Sequence, residues 1–169
     1  IIISLISILP LLSILLYRFA RPGLYPRERN WFSTVLFVTT TVIPIVIFFL
    51  WAYGIPYVIE FSLHLGTPEG VNVRYDATSL LSLGLGISWV LVVWSLSVII
   101  LSLTRIFGMI KNGQTRFRNR IIAISTGTLI LTLPIEYEGM KILIALGVAL
   151  SADYFSRTAP ITLTHWEEA

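Results

Sequence analysis

Five long apolar runs separated by short polar stretches set the pattern of this chain. Residues 1–17, 31–53 and 78–104 contain no charged side chain. Each is close to or longer than the roughly 20 apolar residues that a membrane-spanning helix needs. Two shorter runs, 121–135 and 140–155, follow and predict either local bilayer thinning or a tight helical hairpin. Pro10 lies mid-run and predicts an ordinary kink that a neighbouring helix absorbs. Trp31, Trp51 and Tyr53 fall at the ends of the second run, as an aromatic belt does. Small residues paired four apart, Ser82 with Gly86, Gly84 with Ser88 and Gly147 with Ser151, predict close helix contact. No basic stretch precedes the first run and no small-residue cleavage site follows it, which argues for a span over a signal peptide.

The polar stretches have their own patterns. Residues 19–30 read FARPGLYPRERN, a loop rich in Pro, Gly and Arg. Residues 54–76 turn polar, and Ile55, Val58, Ile59, Leu63 and Leu65 are spaced for a short amphipathic helix along the interface, ending in a turn at Thr67–Gly70.

Composition agrees with the pattern, since 56% apolar and 12% charged residues, with a mean hydropathy of +0.84, exceed what a soluble chain of 169 residues needs for its core. An all-α integral membrane protein with five spans in one domain, residues 1–169, is the expectation. The net charge of +3 carries less information than its placement. Five spans put Arg18, Arg21, Arg27, Arg29, Arg105, Lys111, Arg116, Arg118, Arg120 and Arg157 on one side. Arg74 and Lys141 fall on the other, with Glu60, Glu69, Asp76, Glu136 and Glu138. The positive-inside rule then places the loops 18–30 and 105–120 and the C-terminus inward, and residues 54–76 outward. An outward start to five spans predicts one further helix before residue 1.

Candidate chemistry is sparse. Glu28 is the sole acid of the first basic loop, a lone carboxylate displayed between Arg27 and Arg29. It suits bidentate capture of a guanidinium, or a weak local pair with either neighbour. The Gly84-Leu-Gly86 motif has no strand before it and does not suit a nucleotide. His64 reads as an interfacial polar residue rather than a metal ligand, since the other histidine, His165, lies in the tail, and the absence of cysteine removes disulfides and thiolate chemistry. Asp153 is expected at the interface as a solitary acid. No Ser/His/Asp set, His-Glu-x-x-His or P-loop occurs, so neither an enzyme, a cofactor nor a nucleic-acid partner is expected.

The order of a helix with Pro10, the pattern Phe19, Pro22, Leu24, Tyr25 and Glu28, a span ending in Ala52-Tyr53, and Pro68-Glu69-Gly70 before the next helix resembles the TatC family, the receptor subunit of the twin-arginine protein translocase. The resemblance covers helices two to six of that six-helix fold. It implies a receptor in an energy-transducing inner membrane (bacterial, mitochondrial or thylakoid) that binds twin-arginine signal peptides and recruits small single-span partners. Transport of folded proteins would be driven by the proton gradient. It places signal-peptide binding on Glu28 with Phe19 nearby, and the loop signature on Pro22, Leu24 and Tyr25. Three departures stand out: the family's first helix and the acid before it are absent, the fourth-helix glutamate and proline are Leu96 and Val98 counted from Ser82, and the fifth-helix turn reads Thr132-Leu-Pro-Ile-Glu136. A TatC-derived structural subunit of a larger membrane complex, such as an organellar respiratory assembly, is the alternative.

Overall fold

The computed structural model describes residues 2–64, 77–107 and 116–159, and every regular element among them is helical. These are α1 Ile2–Ala20, α2 Pro26–Phe49, α3 Ile55–His64, α4 Ala77–Ile106, α5 Arg116–Thr132 and α6 Lys141–Ser156. The Pro-Glu-Gly turn at 68–70, Lys111 and the acids Glu69 and Asp76 lie outside the described residues.

Two boundaries differ from the expectation. The segment 18–30 is mostly not loop: α1 runs on to Ala20, residues 21–23 make one 3-10 turn, and α2 begins at Pro26. Tyr25 is extended and Pro26 occupies the first helical position, where its missing N–H is no loss and its fixed φ suits the helix. At the other end α2 does not hand over to a separate interfacial helix. A π turn at Leu50–Gly54 joins it to α3, so Pro26–Phe61 is one helix of 36 residues. With α4, it is long and apolar enough to cross a bilayer on its own. α1 and α2 run through Pro10 and Pro44.

α4 is the hub, packing against α2, α5 and α6, while α1 packs on α2. Its small residues admit rings from both sides. An added Cβ at Gly84 would sit 2.6 Å from the Ile55 side chain and 3.2 Å from Trp51, and one at Gly86 would enter the Tyr137 ring. The third expected pair is only half used, because Ser151 meets Trp94 while Gly147 faces open space.

Burial of apolar area cannot drive helix association against lipid tails, so side-chain hydrogen bonds and close packing hold the helices together. Trp51 donates its ring N–H to Ser88 at 3.0 Å, Trp89 to Thr132 at 2.6 Å, and Trp94 to Ser151 at 3.0 Å. Ser97 bonds Ser125 at 2.7 Å, joining α4 to α5, and Ser13 bonds Thr40 at 2.7 Å, joining α1 to α2. α5 ends at Thr132 ahead of Pro134, and a 3-10 turn at Ile135–Tyr137 returns the chain into α6. These two helices of 17 and 16 residues form the tight hairpin.

Candidate functional site

The start of α2 holds the residues singled out in the sequence. Glu28 is the third residue of the helix, and its Oε2 accepts the Tyr25 backbone N–H at 3.1 Å. A carboxylate here satisfies a donor that the helix leaves orphaned and sits against the positive end of the helix dipole. The Glu28 side chain is therefore tucked in rather than displayed: the residue is 3% exposed, while Arg27 and Arg29 are exposed on either side. Both described ion pairs belong to Asp153, so neither Arg27 nor Arg29 pairs with Glu28 among the described residues.

Around it the signature residues divide. Phe19 is 75% exposed and Tyr25 is exposed, as is Pro22, whereas Leu24 packs against the cluster of Ala20, Phe32, Leu36 and Ile99. Ile106 packs on the same cluster and Phe107 approaches Gly23, so the end of α4 lies against the turn between α1 and α2.

A second polar cluster at this end of the bundle was not anticipated. Asp153, expected as a solitary interfacial acid, is buried and bound by two arginines. Arg105 donates from Nη2 to Oδ1 at 2.6 Å and from Nε to Ser156 at 2.8 Å. Arg157 donates from Nη2 and Nε to Oδ2 at 2.8 and 3.2 Å. Burial of a lone carboxylate is costly, and two guanidinium partners offset that cost. The spacing of Asp153 and Arg157, four apart on a helix, was the available signal. Arg105, 48 residues away, gave none.

The arrangement offers a capped carboxylate, a doubly paired carboxylate and exposed aromatic rings. Among the described residues no group of His, Asp or Glu could hold a metal. Residues 1–135 match the family model TatC, the Sec-independent protein translocase protein. The chain belongs to the TatC family. No curated protein and no solved structure matches it. TatC proteins are polytopic integral membrane proteins, and the all-α architecture here is of that kind. The family is a transport component of the Sec-independent translocase rather than a family of enzymes. The matched region takes in α1, the signature segment and α2 to α5, and it ends at Ile135, where the turn after α5 begins, before α6 and Asp153.

Proposed function

We propose that the chain is a signal-peptide receptor of the twin-arginine type, in which Glu28 accepts a guanidinium and Phe19 packs against the peptide beside it. The supporting observation is the way α2 begins. The cap bond to Tyr25 uses Oε2, and it fixes the carboxylate beneath a turn flanked by the exposed Phe19 and Tyr25. Guanidinium capture by a carboxylate already held in place costs little ordering of the site. On this reading the chain resides in an energy-transducing inner membrane with its basic end and C-terminus inward. It recruits small single-span partners, and the proton gradient drives transport.

Glu28→Gln is the informative change. Glutamine at the third helical position keeps an acceptor for the Tyr25 N–H, so the cap persists. The charge is lost, and binding of a twin-arginine peptide is expected to weaken by about 1.5–3 kcal/mol, the scale of a hydrogen bond to a charged group. A second reading, a TatC-derived structural subunit of a larger membrane complex, draws on the burial of Glu28, which suits a purely local cap. It expects no peptide affinity in the wild type and copurification with stoichiometric membrane subunits.

A further inference from the structure

An apolar groove of about 330 Å³ runs between α2, α4 and α6 and takes no part in the receptor reading. Trp31, Val35 and Val38 of α2, Trp94 and Val98 of α4, and Phe155 of α6 form its walls. Along α2 it extends from Trp31 to Ile43. That is about 18 Å of helix at the usual rise per residue, against about 15 Å for half of a bilayer's hydrocarbon core. Its mouth lies where α2 starts and α6 ends, at the basic end of the bundle.

The walls suit an acyl chain better than another helix. Membrane helices dock through glycine, alanine or serine, or through hydrogen bonds between helices. No glycine, alanine or serine lines the groove. Its hydroxyl protons are already spent, since Thr34, Thr39 and Thr158 donate to the carbonyls of Asn30, Val35 and Phe155 at 2.9, 2.8 and 2.7 Å. The Trp94 ring N–H is spent on Ser151. An acyl chain needs neither small residues nor polar partners.

The mouth differs from the walls. The Trp31 ring N–H, unlike those of Trp51, Trp89 and Trp94, makes no hydrogen bond among the described residues. Trp31 and Thr158 line the same cavity, and each has an arginine beside it. Arg27 lies one turn before Trp31 on the same face of α2, exposed and without an ion pair among the described residues. Arg157 adjoins Thr158, and its side chain is 58% exposed. It spends Nε and Nη2 on Asp153 and keeps Nη1. Two guanidinium groups on the one Asp153 carboxylate leave that cluster cationic. Glu28 is buried under its cap bond, and Glu167 and Glu168 of the tail lie outside the described residues. Basic pockets between membrane helices at a bilayer surface hold anionic headgroups, and a guanidinium fork matches a phosphate.

We infer that the groove between α2, α4 and α6 seats one anionic phospholipid, with an acyl chain along Val35, Val38 and Trp94 and the phosphate held by Arg27, Arg157 and the Trp31 ring N–H. The seat goes beyond the receptor reading and does not depend on it.

The test is native mass spectrometry of the full chain after reconstitution with equal amounts of phosphatidylglycerol and phosphatidylcholine of the same acyl chains. One retained phosphatidylglycerol per chain is expected, with phosphatidylcholine held severalfold less. Arg27→Gln combined with Arg157→Gln should lower phosphatidylglycerol to the phosphatidylcholine level, and Arg105 still holds Asp153 in that variant. Val38→Trp, at a position 46% exposed, should fill the groove and reduce both lipids, whereas Leu143→Trp, exposed outside the groove, should change neither. Equal retention of the two lipids by the wild type, or full retention by Val38→Trp, overturns the seat. A photoreactive residue at position 38 is expected to capture lipid, and its capture of a polypeptide, this chain's own tail included, overturns the seat as well.

Discussion

At the scale of single residues, Asp153 and Tyr137 carry the sharpest consequences. Removing the Asp153 carboxylate strands the Arg105 guanidinium in a buried place, and loss of one partner of such a pair costs about 3–5 kcal/mol. Asp153→Ala should therefore unfold at markedly lower temperature than the wild type in the same detergent, a difference that a thermal melt reads directly. Tyr137 donates its hydroxyl to the Leu83 carbonyl at 2.6 Å. Burial, and then the Glu136 carboxylate, holds this phenol above its ordinary value of 10.0. A folded pKa above the unfolded one means that the stabilisation is complete below about pH 10 and is lost as pH climbs through the folded value. Tyr137→Phe should cost about 0.5–1.5 kcal/mol at neutral pH. The gap between the two proteins should narrow in melts taken at progressively alkaline pH.

At the scale of elements, the small-residue motifs of α4 and α6 are not equivalent, although the sequence presents them alike. Gly86 lies under the Tyr137 ring, and Gly147 has nothing within 4 Å. Gly86→Ala is expected to destabilise by about 1–3 kcal/mol through overpacking. Gly147→Ala should be neutral or slightly stabilising, because alanine is the better helix former. Denaturation of the two variants side by side checks the contrast. The apolar runs made all the long helices legible, since hydrophobic length alone marks them. The start of α2 was hidden because Pro, Arg and Asn read as loop. There the second proline of the segment acts instead as a helix start, with Glu28 three positions into the cap. The Asp153 cluster was legible only within α6, as its other half depends on how α4 and α6 pack.

For the whole molecule, charge placement and packing bear on the same question of sidedness. Leu24 and Ile106 share one cluster, and Arg105 and Arg157 share one carboxylate, so the ends that carry these basic residues gather on one face of the bundle. The chain has no cysteine, which makes single introduced cysteines clean reporters. Cysteines at positions 29 and 116 are expected to label from the same side of a sealed vesicle, with one at position 60 labelling from the other. Labelling of 29 and 116 from opposite sides would contradict the arrangement. Large exposed side chains along the α5–α6 hairpin, among them Leu131, Ile142, Leu143 and Tyr154, need lipid or neighbouring helices as their surroundings.

The π turn between α2 and α3 gives the protein one place at which a shorter chain is tolerated. One residue of an α-helix corresponds to about 100° of rotation. Deleting a single residue from Leu50–Gly54 would restore an unbroken α-helix, and because the wide turn is what absorbs the extra residue, the α3 face would keep its direction. Adding a residue there, or deleting one elsewhere in Pro26–Phe61, would rotate the α3 face and take Ile55 away from Gly84. Length variation among relatives should accordingly fall in the connections on either side of this helix, or be the loss of one residue within the turn itself.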